Sequence, residues 1–205
     1  MSLTPLSLSV NPGSWRLFAT RKSDPGFKRF SEKIWQRDGY TCQFCGFQAR
    51  EYMEVINLDA NYRNNSASNM VTSCCFCAQC NFLEAVGQSD YGGGTLVYLP
   101  ELTQTELNGL CHVLFCAMAN ATSYRADAQT IYQNLKMRAS IVDEKLGEGL
   151  SEPAQLGTLM VEAPQEQVAK VKDHILSNLK LLPSRAKFNR QIEAWAKAAL
   201  EEMNT

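Results

Sequence analysis

Six of the chain's eight cysteines fall between residues 42 and 80. Cys42 and Cys45 have two residues between them, and so do Cys74 and Cys77, and Cys77 and Cys80. At that spacing the backbone curls round the first sulfur, so a pair grips a cation from two sides. Two pairs supply four thiolates, the donor set of a closed tetrahedral zinc site. Cys42 and Cys45 make the first pair. The second has two registers, because Cys74, Cys77 and Cys80 are evenly spaced. The Cys77/Cys80 register is favoured, since Asn81-Phe82-Leu83 follows as the start of an apolar helix and a metal knuckle commonly leads into a helix. The expected ligands of one structural Zn2+ are therefore Cys42, Cys45, Cys77 and Cys80. Cys74 and Cys75 are then small buried residues, as free cysteines often are.

The remaining reactive residues carry weaker signals. Cys111 lies on the apolar stripe of a helix and reads as core. His112 and Cys116 stand four apart, a spacing that could begin a second metal site, but no further ligand lies near them in sequence. His174 falls on the polar side of an expected helix. A dithiol switch at Cys74/Cys75 or Cys77/Cys80 is a further option, one that bound zinc would block.

The totals bound the function classes. At 205 residues the chain can bury one sizeable core or two small ones, and a hydrophobic content of 45% with 20% charged residues is ordinary for a globular protein. The net charge of −1 provides no global field to recruit nucleic acid or an anionic membrane. Residues 1–50 carry eight basic and three acidic side chains, and residues 51–100 one and five, so any basic face is local. Leu3–Val10 is too short and too interrupted for a secretory leader, which leaves a cytoplasmic chain as the expectation. No apolar run reaches bilayer length. Clustered cysteines in such a chain point to metal rather than to disulfides.

The elements that must position the cysteines follow from periodicity and punctuation. LSLSV alternates like a strand, Asn11-Pro12-Gly13 reads as a turn, and Trp15–Phe18 as a second strand. Asp24-Pro25 opens a helix bearing Phe27, Phe30, Ile34 and Trp35, which closes at Gly39. Glu51–Leu58 is extended, Asn61–Asn69 a loop, and Cys77–Val86 helical. Gly92–Gly94 is a flexible joint, and Thr95–Leu99 a short β-like run. Thr103–Glu106 fits a capping box ahead of a stripe of Leu107, Leu110, Cys111, Leu114, Phe115 and Met118. Further helices are expected over 123–146, from Ser151 through Met160, from Pro164 with Val168, Val171, Ile175 and Leu179 inward, and around Ile192, Trp195, Ala199 and Met203. The fold class is α+β, with residues 1–95 as the metal-binding module and 96–205 as a helical region.

Two resemblances sharpen this reading. The run RDGYTCQFCG, the segment EVINLDANYRNNSASNMV and the second cysteine cluster resemble the HNH endonuclease family, in which two cysteine pairs frame a ββα-metal unit. The resemblance covers residues 35–85. It places the family's catalytic Asp-His pair at Ile56 and Asn57. Ile cannot bind a cation, an amide is no general base, and no histidine precedes residue 112. Asp59 alone does not make a catalytic centre. The resemblance thus implies an HNH-like ββα zinc-binding module without catalytic residues, and keeps an HNH-type DNA-binding protein or nuclease as the alternative.

Across most of the chain, PLSLSVNPGSW, RDGYTCQFCGFQAREYMEVINLDANY and SCCFCAQCNFLEAVG resemble the IcmJ/DotN family of the Dot/Icm type IVB secretion system. That resemblance implies a non-enzymatic cytoplasmic subunit of the type IV coupling complex. Its implied partners are the C-terminal extension of the coupling ATPase DotL, the DotM subunit and the IcmS–IcmW adaptor pair, and its implied role is effector recruitment. It implies no nucleic-acid partner, and membrane association only through the other subunits.

Overall fold

Asn11 sets the course of the N-terminal chain. Its backbone N–H donates to Glu84 Oε1 (2.9 Å), its side-chain amide donates to Asn81 O (3.0 Å), and its carbonyl accepts from Ser14 and Trp15. Pro12 is pre-set for a first helical position, and Pro12–Arg21 form helix α1. The strand expected over Trp15–Phe18 is thus helical. Trp15 and Phe18, three residues apart, both pack on Phe82, with ring centroids at 5.5 and 4.9 Å. LSLSV is not a ladder strand either. Leu8 is buried, but Ser9 exchanges hydrogen bonds with Cys80 O and Leu83 N–H. Alternation sorts side chains between faces without supplying a partner strand. Here the turns around the cysteines take up the backbone groups. The computed structural model describes residues 3–164, 166 and 175–203.

Helix α2 (Pro25–Arg37) starts where Asp24 Oδ1 accepts from Phe27 N–H (2.6 Å) and turns back at Gly39, whose φ of 61° is the left-handed conformation glycine adopts without strain. Its Ile34 packs with Val55 and Met70. Those two residues belong to strands β1 (Met53–Asn57) and β2 (Met70–Cys74), an antiparallel pair in register from Met53↔Cys74 to Asn57↔Met70. The polar loop between them carries one 3-10 turn, Ala67–Asn69. β2 runs directly into a single helical turn, α3 (Cys75–Ala78), and then into 3-10 turns at Gln79–Asn81 and Leu83–Ala85.

Strand β3 (Gly94–Tyr98) pairs with β4 (Leu179–Pro183). β4 lies where helix was expected to continue to Leu179. Its residues Leu-Lys-Leu-Leu-Pro are all buried, and a short apolar run of this kind has no period to separate strand from helix. The expected joint at Gly92–Gly94 is closely packed: Gly93 N–H donates to Gln79 Oε1 (2.9 Å) and Gly93 O accepts from Ser184 N–H (2.9 Å). Helix α4 (Gln104–Ala119) opens with the predicted capping box between Thr103 and Glu106. The helix expected over 123–146 is two, α5 (Arg125–Met137) and α6 (Ala139–Leu146), broken at Arg138, whose guanidinium reaches Glu101. Among the described residues, helices α7 (Pro153–Glu162) and α8 (Asn189–Met203) follow.

The fold is α+β. The boundary expected at 95/96 falls inside β3. One apolar cluster takes Phe18, Cys42, Phe76 and Phe82 from the first part and Leu107, Cys111, Phe115 and Ile192 from the second. Among the described residues no helix is long and apolar enough to cross a membrane.

Two helical glycines separate helix propensity from packing. A Cβ on Gly157 of α7 would lie 2.6 Å from Glu84 Cα and 2.7 Å from Leu83 C, whereas one on Gly109 of α4 meets nothing within 4 Å. Gly109→Ala is expected to stabilise by about 1 kcal/mol through propensity. Gly157→Ala is expected to destabilise by about 2 kcal/mol, because α7 must leave the Leu83–Ala85 turn. Urea midpoints of the two variants check the opposite signs.

Candidate metal centre

The first knuckle is a tight loop held at both ends. Cys42 N–H donates to Phe47 O (2.8 Å), and Gly46 N–H donates to Cys42 O (2.9 Å). Gly46 takes a φ of 77°, which turns the chain directly after Cys45. The loop is tied to β2 by Gln43 N–H, which donates to Thr72 O (2.9 Å). Asp38 braces the same strand by accepting from Thr72 N–H (2.8 Å) while paired with Arg37 (2.7 Å). Burial raises the Asp38 carboxyl, but its hydrogen bonds to Arg37 and Thr72 outweigh this and hold it below the usual carboxylate range.

This bracing brings the knuckle against the end of β2. The sulfurs of Cys42, Cys45, Cys74 and Cys77 lie within 4.8 Å of one another, with Cys45 and Cys74 3.7 Å apart. Tetrahedral zinc with Zn–S bonds of about 2.3 Å needs sulfur pairs about 3.8 Å apart, so the cluster fits that ion with small adjustments. Its acid–base chemistry fits as well. Burial pushes the thiols of Cys42, Cys74 and Cys77 up. At Cys42 the hydrogen bonds from Cys45, Cys74 and Cys77 reverse the shift, while Cys74 and Cys77 stay well above an ordinary thiol. A buried group of sulfurs holds one negative charge and resists the next. A divalent cation removes that conflict, so the residues present suit a structural metal.

Cys80, expected as the fourth ligand, is not in the group, and Cys74 takes that place. The physical reason is the strand end. Cys74 closes β2 and Cys77 sits in the following turn, whereas Cys80 lies further on and packs with Leu8, Leu83 and Val86. Its thiol donates to Phe76 O (3.3 Å), and burial lifts its pKa to about 12. Cys75 stays outside the group too. Cys111 is core, as its place on the α4 stripe implied.

Two residues of α4 complete the surroundings. Asn108 Nδ2 donates to Cys77 Sγ (3.2 Å), and His112 Nε2 lies 3.3 Å from Cys74 Sγ. The imidazole is stacked between Phe47 (centroids 3.6 Å) and Phe76 (4.3 Å), and burial lowers its pKa to about 3, so it is neutral. His112 therefore belongs beside the four-cysteine group and not to a second site with Cys116, which accepts instead from Asn120 Nδ2 (3.5 Å). One sequence signal was present: Gln104, Asn108 and His112 are polar, four apart, and buried beside an apolar stripe. His174, with Val168 and Val171, lies outside the described residues.

At the positions matching the HNH acid and base, Ile56 is core and Asn57 is held by three hydrogen bonds. Asn57 Oδ1 accepts from Arg21 (2.8 Å), and its amide donates to Asn61 O (3.0 Å) and Asn64 O (2.8 Å). Asp59 accepts from Asn64, Asn69 and Asn61 N–H, and these bonds hold its carboxyl below the usual range. Its oxygens shape the loop.

The geometry defines a group of four thiols that could hold a metal ion, set between the first knuckle and the end of β2 against α4. No protein-family model matches the chain. A curated relative does: the type 4 apparatus protein DotN of Legionella pneumophila is 58% identical over 198 residues, covering 97% of this chain and 92% of that protein. The chain belongs to the DotN (IcmJ) family.

Proposed function

We propose that this chain is a non-catalytic scaffold subunit of a type IV secretion apparatus. The carrying observation is the 58% identity to a type 4 apparatus protein over nearly the full length of both chains. The finer reading comes from the family resemblance. The chain binds the C-terminal extension of a DotL-type coupling ATPase, stands with DotM and the IcmS–IcmW pair, and supports effector recruitment. It sits in the cytoplasm and reaches the membrane only through these partners.

Cys42, Cys45, Cys74 and Cys77 hold one zinc ion, which supplies folding energy and no reaction. The order strand, loop, strand, helical turn around the thiols supports an HNH-related origin for the module. The engagement of Asn57 and Asp59 in loop hydrogen bonds supports the absence of catalysis. Nucleic acid is not a partner in this reading. Of the basic excess in residues 1–50, Arg21 is turned onto Phe27 and Tyr62, Lys22 pairs with Glu54, and Arg37 with Asp38.

Affinity capture of the tagged chain from its source cell, followed by mass spectrometry, tests the proposal. Recovery of a coupling ATPase is expected. Recovery of nucleic acid alone, or DNA cleavage with added magnesium or manganese, overturns it.

A further inference from the structure

The cluster is built from residues 42–77, yet two of its nearest polar neighbours come from the helical half. Gln104, Asn108 and His112 form one buried ridge along α4. Gln104 closes a two-way pair with the backbone of Leu181 (2.9 and 2.8 Å), which fixes α4 against β4. The next two residues of the ridge point at sulfur, Asn108 at Cys77 and His112 at Cys74.

We propose that Asn108 and His112 are positioning residues for the metal centre, each donating an N–H to a metal-bound thiolate and so fastening the helical half to it. The proposal rests on the reading of the four cysteines as a zinc site. A zinc ion with four thiolates carries a net charge of −2 in surroundings where Cys42, Cys74 and Cys77 are buried. Metal-bound thiolate has lost its proton and can only accept, so N–H donors are what it requires. The amide nitrogen of Asn108 can only donate. Donation from His112 places a proton on Nε2, the nitrogen that faces Cys74. The ring is clamped in that orientation by Phe47 from the first knuckle and Phe76 from α3, with the ring of Trp195 from α8 steeply inclined to it at a centroid distance of 5.1 Å. One side chain thus touches both cysteine-bearing segments and the last helix. A loaded centre would hold α4 and α8 in place, and an emptied one would leave two donors facing neutral thiols.

The test uses the full chain loaded with cobalt or zinc. His112→Phe keeps the stacked ring and removes the N–H, while Asn108→Leu keeps the shape and removes the amide. Each is expected to bind one metal per chain and to release zinc to a chelator about 10–100-fold faster. Each is also expected to move the sulfur-to-cobalt charge-transfer band to lower energy, since a sulfur that donates no lone-pair density to N–H is easier to oxidise. His112→Gln, which returns a donor near the position of Nε2, is expected to restore the band. The unmutated protein gives an independent reading should a variant fail to fold: with NMR-active cadmium, the ring N–H of His112 and the side-chain amide of Asn108 are expected to correlate with the metal. A loaded protein with unmoved bands and release rates, or with no such correlation, overturns this proposal alone. An unmutated chain that takes up no metal overturns it together with the zinc reading.

Discussion

Cys74→Ser is expected to yield a chain with less than one zinc per molecule, while Cys80→Ser keeps the full complement. Four sulfurs within 4.8 Å include Cys74 and exclude Cys80. A serine hydroxyl is a poor ligand for zinc at neutral pH, so Cys74→Ser leaves three donors and an open corner. Structural zinc binding is worth about 10–16 kcal/mol in small zinc-finger peptides, against a total stability of about 5–15 kcal/mol for an ordinary domain. Losing a large part of it should lower the thermal midpoint by tens of degrees or abolish the folding transition. The substitution at Cys80 differs in kind. A hydroxyl there can still donate to Phe76 O, as the thiol does at 3.3 Å, and the cost is that of placing a more polar atom among Leu8, Leu83 and Val86, about 1–2 kcal/mol. Native mass spectrometry and thermal melts of the two variants check this. Zinc retained by Cys74→Ser and lost by Cys80→Ser would restore the register favoured by sequence.

Acidification should reproduce the effect without mutation. Cys74 and Cys77 hold their protons far more tightly than free thiols when no cation is present, because burial and neighbouring sulfurs oppose ionisation. The metal must therefore displace protons from a site that favours them, and lowering the pH shifts the balance towards the thiols. Zinc release and loss of the folding transition should coincide as pH falls below neutrality, followed by a metal indicator and circular dichroism on one sample.

The cysteine spacing made a four-thiol group legible in the sequence, and it also explains why Cys80 was expected where the structure brings in Cys74. Three evenly spaced thiols give two equivalent pairs, and only the strand end at Cys74 separates them. Helices with caps could be read directly: Asp24 before α2 and Thr103–Glu106 before α4 stand where a local hydrogen bond was expected. The misreadings share another cause. LSLSV, Trp15–Phe18 and Leu179–Pro183 are short apolar segments whose conformation is decided by distant partners. Ser9 bonds to Cys80 and Leu83, Trp15 packs on Phe82, and β4 pairs with β3 more than eighty residues earlier in the chain. His112 and Cys116 are helical neighbours that could begin a second metal site, but the sequence offers no further ligand near them. Folding selected Cys74 instead, and nothing local to residues 108–116 announces a sulfur that arrives from the end of β2.

Asn57 carries the second large effect, and its direction separates loop architecture from a latent active site. The residue is 2% exposed and uses all its hydrogen-bonding capacity but one lone pair, taking a bond from Arg21 and giving one each to Asn61 O and Asn64 O. Arg21 in turn donates to Val55 O and lies 4.4 and 4.5 Å from the rings of Phe27 and Tyr62. Asn57→Ala removes three bonds, leaving the Arg21 guanidinium with Val55 O, Asn61 O with Asn64 N–H and Asn64 O with Asn69 Nδ2, and should cost about 3 kcal/mol. Asn57→His is the more pointed variant, since it returns the imidazole that an HNH nuclease places here. A neutral imidazole offers one N–H where the amide gives two, and its ring is larger than the amide. It should therefore destabilise by about 2–3 kcal/mol and loosen the loop from Asn61 to Asn69. It should also gain no activity on DNA with magnesium or manganese. In an HNH-type site the base works beside a bound cation, and Asp59, two residues on, is committed to Asn61, Asn64 and Asn69. Denaturant midpoints and proteolysis of the loop measure the first consequence, and plasmid nicking measures the second. Cleavage by Asn57→His with unchanged stability would mean that the loop had kept the shape of an active site and lost a single group.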